Sequence, residues 1–492
     1  MASSRSATPP PGVPLSRASF QTAIGPWRQR PGPAYLALAS ALGDRILDGQ
    51  LVPGTRLPSE RAAASACQVS RRTVTAAYGV LRQRKLVTGR QGSGTYVCGP
   101  AQAGAPGRMP WAPGGLLASD GAMLDLALAA PARPHPAVAP ALAAAAASVA
   151  ELRSPGYDAA GLHELRDAIA RRYTSRGVPT TSDQVLVTSG AQQALDVALR
   201  QATGPGDVAV VEDPTYPAAL DALRARRARI AAIGLGESGW DLDELDVTVR
   251  RHSAAVVYVI PDYHMPTGMV MSDQQRERLV QVSRGARLIV DESLCELGFG
   301  DGHTPVAAFD DFDRVISIGS LSKVYWGGLR IGWIRASTGL VNELTYAKAA
   351  SDLSCPYVEQ RAAAGLMTQL DHHLPLVRAG LMQRCRVLGD ALAAHFPSWH
   401  VPQPRGGVVA WVQAPGLPTD SLARNASRFG LRLVGGSRFS AVGGHTDRLR
   451  LPFTLEPGEL VRSVSNLAEL AAWWAASGRQ ESYLRPDLPL PV

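Results

Sequence analysis

Cysteine is scarce in this chain of 492 residues. The five present, Cys67, Cys98, Cys295, Cys355 and Cys385, are odd in number, scattered and without a C-x-x-C pair. That excludes a disulfide framework and a cysteine-based zinc site as readings, and leaves reduced thiols packed as small apolar groups. Long hydrophobic runs are missing as well. The most apolar stretch, 124–152, is broken by Pro131, Pro134, Pro136 and Pro140, so no segment is expected to cross a bilayer. The N-terminus, MASSRSATPPPGVP, has no apolar centre for a secretory signal. A cytoplasmic protein without a membrane partner is expected. No internal repeat is visible. Acidic residues are what the first fifth lacks: residues 1–100 hold 13 Lys/Arg against 3 Asp/Glu, whereas the other 392 hold 37 against 39. The net charge of +8 is therefore a cationic module on a nearly neutral body, which points to a polyanion partner for that module alone. At this length two or three domains are expected, and 46% hydrophobic residues suffice for a large core.

Within the basic fifth, helical patterning begins near Ala34, and Leu36, Leu42, Ile46 and Leu47 give a first helix its apolar face. Pro53-Gly54 is a turn. Ser59 caps a second helix over 61–67, and Ser70 caps a third over 71–84. In the third, Val74, Ala77, Tyr78 and Leu81 follow i, i+3, i+4, i+7 spacing and face inward. Arg71 and Arg72 occupy its first turn, against the positive end of the helix dipole, a placement that makes sense where the helix tip meets phosphates and guanine edges. LVTGRQGSGTYV (86–97) reads as a β-hairpin whose Gly92 and Gly94 let its tip approach a sugar-phosphate backbone. Through PGTRLPSER (53–61), VSRRTVTAAYGVLR (69–82) and GSGTYV (92–97), the stretch resembles the GntR-type winged helix-turn-helix, an α+β module. The resemblance implies promoter DNA as partner, contacted by Arg61, Ser70, Arg71, Arg72 and Thr73, with Gln91 and Gly92 on the wing. A winged helix used only for protein contacts is the alternative.

From Leu124 onward, QVLVTS (184–189), VAVV (208–211), AAVVYVI (254–260), ARLIVD (286–291) and RVISIGS (314–320) alternate with helical segments. That is the pattern of a mostly parallel sheet in an α/β domain, followed beyond about Leu370 by a smaller α+β lobe. Ligands of open α/β sheets bind at the carboxyl ends of strands. There, Ser189-Gly190-Ala191-Gln192 opens an amphipathic helix whose free N–H groups suit a phosphate. EDPTYP sets Tyr216 on a turn, Asp291 closes ARLIVD, and Ser320-Leu321-Ser322-Lys323 follows RVISIG, with Arg330 beyond. Singly, each has a bland reading: a strand–helix turn, a helix cap or ion pair, a surface lysine. Together, a phosphate cup, a flat aromatic, a buried acid and a buried lysine are what pyridoxal 5'-phosphate (PLP) requires.

GYDAAGLHELRDAI (156–169), TSGAQQAL (188–195), EDPTYP (212–217), PTG (266–268), VDE (290–292) and SLSKVYWGGLRIGW (320–333) resemble the fold-type I aminotransferases, with RLRLPF (448–453) extending the likeness. A GntR-type module ahead of such a domain is the MocR arrangement. The resemblance implies a PLP-dependent transferase fold with an internal aldimine at Lys323, the catalytic position. Ala191, Gln192, Ser320 and Arg330 would lie at the phosphate, Tyr216 on the ring and Asp291 on the pyridine nitrogen. Tyr157 would reach the phosphate from the partner subunit of a head-to-tail homodimer. Arg450 would take an effector carboxylate, a fork of donors suiting bidentate capture. Arg448 is the alternative, on the expectation that strand alternation turns only one of the two inward.

Two departures stand out. Met265 precedes PTG where aminotransferases place an asparagine on the PLP 3' oxygen, and Ser293-Leu294 stand where a tyrosine often shares that oxygen. Ser293, Tyr263 or His264 would have to substitute. The resulting organisation is a disordered arm (1–32), a winged-helix domain (33–98), a linker (99–123), a PLP-binding domain (124–480, small lobe about 371–480) and a tail (481–492). The implied function is promoter binding gated by an amino acid or amine that exchanges with Lys323, sensing taking precedence over turnover. A working aminotransferase, and a regulator with a PLP-free dimerisation scaffold, are the rivals.

Overall fold

The computed structural model describes residues 20–21, 24, 27–29, 33–47, 51, 55–83, 86–90, 94–97, 123–236, 239–300, 302–310 and 313–477. Expectations for most of the arm, for Pro53-Gly54, Gln91 and Gly92, for the linker up to 122 and for the tail lie outside the described residues.

The N-terminal module is three helices and a hairpin: α1 (Ala34–Leu47), α2 (Glu60–Cys67), α3 (Arg71–Gln83), β1 (Val87–Arg90) and β2 (Gly94–Val97). In α1, Leu38, Leu42 and Ile46 are buried at i, i+4, i+8, whereas Leu36, expected on that face, is 37% exposed. The Ser59 hydroxyl accepts the Ala62 N–H (3.2 Å) to start α2, and the Ser70 hydroxyl accepts the Thr73 N–H (3.1 Å) to start α3. Val74, Ala77, Tyr78 and Leu81 all point into the core, and the Tyr78 hydroxyl donates to the Pro58 carbonyl (2.9 Å). β1 and β2 pair antiparallel, Val87 opposite Val97, and Thr55 and Leu57 add backbone hydrogen bonds to β2. The module begins earlier than the expected boundary at 33. Phe20, Ile24 and Trp27 are buried in the same core, and the Gln21 amide donates to the Ala66 carbonyl (2.8 Å). Their i, i+4, i+7 spacing is helical but sits in Pro/Ser/Arg-rich surroundings that read as an unstructured arm.

The body is built on an eight-stranded sheet in the order β4-β11-β10-β9-β8-β5-β6-β7. The strands are β4 (Val185–Thr188), β5 (Val208–Asp213), β6 (Arg229–Gly236), β7 (Gly239–Trp240), β8 (Val256–Val259), β9 (Arg287–Asp291), β10 (Val315–Ser320) and β11 (Gly332–Arg335). β7 and β11 run against their neighbours and the rest are parallel. β4, β8 and β10 are buried at every residue, which explains their nearly continuous Val/Ile/Leu content: helices cover both faces, so no polar alternation is needed. The helices that bear on the site are α4 (Ala191–Ala202) and α5 (Pro217–Ala225), which follow β4 and β5.

The smaller lobe packs α6 (Leu370–His395) against α7 (Pro457–Ser477), with β12 (Val409–Gln413) antiparallel to β14 (Arg448–Pro452). It also recruits β3 (Leu124–Asp125), which pairs in parallel with β13 (Leu431–Arg432). A lobe drawn at about 371–480 therefore omits its own first strand, and the chain enters the body through this lobe. No helix among the described residues is long and apolar enough to cross a membrane.

Candidate functional site

The strand ends of the large sheet form the site. β4 runs into Ser189 and Gly190, whose φ of +86° is open to glycine, and a Cβ there would lie 2.6 Å from Arg330 Nη2. α4 then starts at Ala191 with no side chain capping it, leaving the first-turn N–H groups available to an anion. Arg330 donates to the Ser189 carbonyl across the same loop, and the buried Ser320 hydroxyl pairs with Ser322 Oγ at 3.0 Å. The Tyr216 hydroxyl, at the head of α5, donates to Gln192 Oε1 (3.3 Å), which ties the aromatic to the cup.

Asp291 ends β9 and is 8% exposed. Burial pushes its carboxyl pKa up, while hydrogen bonds from Ser293 and Tyr258 and the charge of Lys323 pull the other way. The Ser293 N–H donates to Oδ1 (2.9 Å) and the Tyr258 hydroxyl to Oδ2 (3.0 Å). Tyr258 has no place in the expected site. Its signal is a tyrosine inside the fully buried run AAVVYVI, beside ARLIVD: a hydroxyl in such a strand must find a partner. Tyr258→Phe should raise the Asp291 pKa further, by the loss of one hydrogen bond to the charged form, as measured by NMR titration of the carboxyl group.

Lys323 follows β10, and its Nζ donates to the Ala129 carbonyl at 2.7 Å. Desolvation, then Arg450 and Arg330, hold its pKa down to about 8 against the opposing pull of Asp291. A pKa near 8 leaves about a tenth of the amine neutral at pH 7, against roughly one in three thousand for an ordinary lysine. The initial rate at which this amine condenses with an aldehyde reagent should therefore rise with pH and level off above about pH 8, rather than climbing to pH 10; a stopped-flow absorbance series measures it.

Arg450 lies mid-strand in β14, is 4% exposed, and donates through Nη2 to the Ala127 carbonyl. Its guanidinium stands 5.6 Å from the Phe439 ring centroid, and its buried Nε has no partner. Burial lowers its pKa to about 10. Arg448 is only partly buried. Alternation is not what separates the two: being two residues apart they share a face of the strand, and depth along β14 decides. Tyr216 feels Asp291, Arg450 and Arg330, with burial moving its pKa up to about 12. The structure thus brings Tyr216, Asp291, Lys323, Arg330 and Arg450 together.

Of the three residues expected to serve the 3' oxygen, one is committed elsewhere: His264 contacts Glu212 (3.1 Å) and Thr267 (2.9 Å) through its two ring nitrogens. The buried Tyr263 packs its ring end against Gly298. Ser293 Oγ is buried without a partner and remains available, while Met265 is buried and offers no donor. The donor set fits PLP: a capless helix start, an acid for the pyridine nitrogen, a desolvated amine and an uncommitted hydroxyl. Tyr157 is 71% exposed and does not join the group.

In the N-terminal module Arg61, Arg71 and Arg72 are exposed. Arg71 leans on Glu60 (3.4 Å), whereas Arg61 and Arg72 pair with no other described residue. Ser70 and Thr73 hold each other at 2.8 Å, so capping already engages both hydroxyls. Gly94, expected to ease backbone approach, has φ +110° and makes room for Arg56, whose Nε would lie 2.9 Å from a Cβ there. Arg56 is not among the expected contacts.

Residues 123–467 match the family described as aminotransferase class I and II, and residues 34–97 match bacterial regulatory proteins, gntR family. The uncharacterized HTH-type transcriptional regulator YdcR of Escherichia coli (strain K12) is 29% identical over 440 residues, 82% of this chain and 92% of that one. The probable rhizopine catabolism regulatory protein MocR of Rhizobium meliloti is 28% identical over 396 residues, 75% of this chain and 78% of that one. Among solved structures, LysN, the alpha-aminoadipate aminotransferase of Thermus thermophilus complexed with N-(5'-phosphopyridoxyl)-L-leucine, superposes with a TM-score of 0.65 at 28% identity, covering 72% of this chain and 93% of that one. With an aminotransferase domain spanning most of its length and a gntR module ahead of it, the chain belongs to the aminotransferase class I and II family in its MocR-type regulator form.

Proposed function

We propose that the body of this DNA-binding regulator holds PLP on Lys323 and reads an amino acid or amine by exchange at that lysine. The observation that carries the reading is the Lys323 amine: desolvated at the end of β10, lowered to about 8, and set among Asp291, Arg330 and Arg450. PLP, when bound, supplies an aldehyde that condenses reversibly with amines and a ring that withdraws electrons. Lys323 offers the nucleophilic amine. Asp291, steadied by Tyr258, keeps a proton on the pyridine nitrogen. The Ala191 and Gln192 N–H groups, Ser320 and Arg330 hold the phosphate, joined by the partner subunit's Tyr157 in a head-to-tail homodimer. Tyr216 covers the ring, and Arg450 takes the effector's carboxylate. LysN, solved with a phosphopyridoxyl amino acid, supports this ligand class.

Met265 favours sensing over turnover. Exchange of one amine for another needs no strong electron sink, whereas proton abstraction during transamination does, and a thioether gives the 3' oxygen no hydrogen-bond donor. The test is spectral. PLP added to the purified protein should give a visible band, and amino acids should shift it. Arg450→Met should lose the shift for amino acids and keep it for simple amines. A colourless protein after PLP addition sinks the cofactor reading in favour of a scaffold. Keto acid at ordinary turnover rates would make the domain a working aminotransferase.

A further inference from the structure

Two cationic side chains of the site share one acceptor segment. Lys323 Nζ donates to the Ala129 carbonyl, and Arg450 Nη2 to the Ala127 carbonyl. These carbonyls belong to the first stretch of the body, the stretch that in sequence joins the linker and, through it, the DNA-binding module. Its placement is specific. Leu124 and Asp125 pair with Leu431 and Arg432, and the Leu126 N–H donates to the Arg432 carbonyl. Asp125 Oδ1 accepts the N–H groups of Ala127 (2.8 Å) and Leu128 (3.1 Å), and Oδ2 meets Arg432 Nη1 at 3.2 Å. Leu126 and Ala129 are buried, and at the far end the His135 N–H donates to the Tyr325 carbonyl, two residues past Lys323.

We infer that residues 125–130 form a latch that reports ligand occupancy to the DNA-binding module, with Asp125 as its positioning residue. The inference deepens the proposed function and rests on it. A carboxylate is a stronger acceptor for a guanidinium than a neutral carbonyl, so an effector takes Arg450 from Ala127. The part-buried Ala127 carbonyl it leaves has lost its donor, and with it the bond that holds this part of the segment on the site, which frees the segment to shift. The ligand thereby binds the two positions of the segment with different affinity, which is the condition for shifting an equilibrium. Coupling is reciprocal, so promoter binding must alter effector affinity by the same factor.

The test compares two probes on the full-length protein: N-(5'-phosphopyridoxyl)-3-methylbutylamine, and N-(5'-phosphopyridoxyl)-L-leucine, which differs from it only by the carboxylate. Both leave Lys323 uncombined, so their difference isolates the Arg450–Ala127 exchange. Hydrogen–deuterium exchange of peptides over 124–130 should run on the order of tenfold faster with the carboxylate-bearing probe. Asp125→Ala should exchange fast without ligand and gain nothing from it, and should lose the probe's effect on promoter affinity. Asp125→Asn, which keeps an oxygen for the two N–H groups, should restore both. Equal exchange with both probes, each shown by calorimetry to bind, overturns the latch and leaves the cofactor reading standing. So does an Asp125→Ala protein that keeps its probe-dependent promoter affinity. Failure of both probes and of PLP to bind removes the cofactor reading, and the latch with it.

Discussion

In Lys323→Ala, added PLP should leave no visible aldehyde–amine band, and borohydride should fix no pyridoxyl group anywhere on the chain. The wild type should be labelled on one side chain. The chain makes this unusually clean to read, because it contains only three lysines: Lys85, Lys323 and Lys348. Lys348 is fully buried, 3.5 Å from Asp352 Oδ2, with its Nζ also donating to the Ala159 carbonyl, so its amine is committed to a structural pair. Peptide mass mapping then decides between Lys323 and the others, and a label on Lys348 in the native protein would contradict the proposed site. Residual PLP should still bind the variant through the phosphate cup, with affinity reduced by two orders of magnitude or more, since the covalent link is gone while the N–H groups of α4 remain. The same substitution has a signature in stability. Lys323 is held at about 8 in the folded state against 10.5 for the ordinary side chain. Between those pH values the unfolded chain binds more protons than the folded one, so the stability of the PLP-free wild type should rise with pH across that window. Lys323→Ala should flatten that dependence, and thermal melts from pH 7 to 10 would show it.

How much of this site can be read from sequence depends on what kind of signal each residue leaves. Lys323, Asp291, Tyr216 and the Gly190 turn stand at strand ends, where a change from apolar run to small or charged residues marks the boundary, and the sheet gathers those ends on one edge. The strands themselves are visible because burial on both faces leaves unbroken Val/Ile/Leu runs. Tyr258 escapes because it lies inside such a run: periodicity cannot distinguish a tyrosine that packs from one whose hydroxyl reaches the neighbouring strand's carboxylate. Leu36 fails for the opposite reason. A short helix offers several apolar stripes, and only packing against α3 selects Leu38, Leu42 and Ile46. Ala127 and Ala129 leave no trace at all, since they act through backbone carbonyls, which every residue carries.

Arg72→Ala should cost the protein most of its promoter affinity, and more than Arg71→Ala does. At 100° per residue along α3, the buried stripe of Val74, Ala77, Tyr78 and Leu81 sets the opposite face at Arg72, Ala76 and Gly79. Arg72 is exposed and unpaired among the described residues, while Arg71 stands on the flank, where Glu60 already holds it. That exposed pair is weak, worth less than about 1 kcal/mol, so Arg71 is restrained rather than lost to DNA. Ala76 and Gly79 add little bulk to the presenting face, and a Cβ at Gly79 would touch nothing within 4 Å. Small size there is not a packing requirement, and it suits a helix that must sit deep in a groove. One bidentate base contact is worth about 1–3 kcal/mol, so Arg72→Ala should weaken operator binding by roughly 5- to 150-fold, and the double variant by more. If Arg72 reads a base, the loss should shrink on non-operator DNA. If it neutralises a phosphate, both DNAs should suffer alike and the slope of log K against log salt should fall by about 1. Gly79→Leu separates the docking face from the fold. Thermal stability should hold, because α3 gains a better helix former where space is open, while operator binding should fail because the helix can no longer seat. Fluorescence anisotropy with operator and scrambled duplexes at several salt concentrations measures all of this, and undiminished operator binding in the Arg71/Arg72 double variant would mean that another surface of the module meets the DNA.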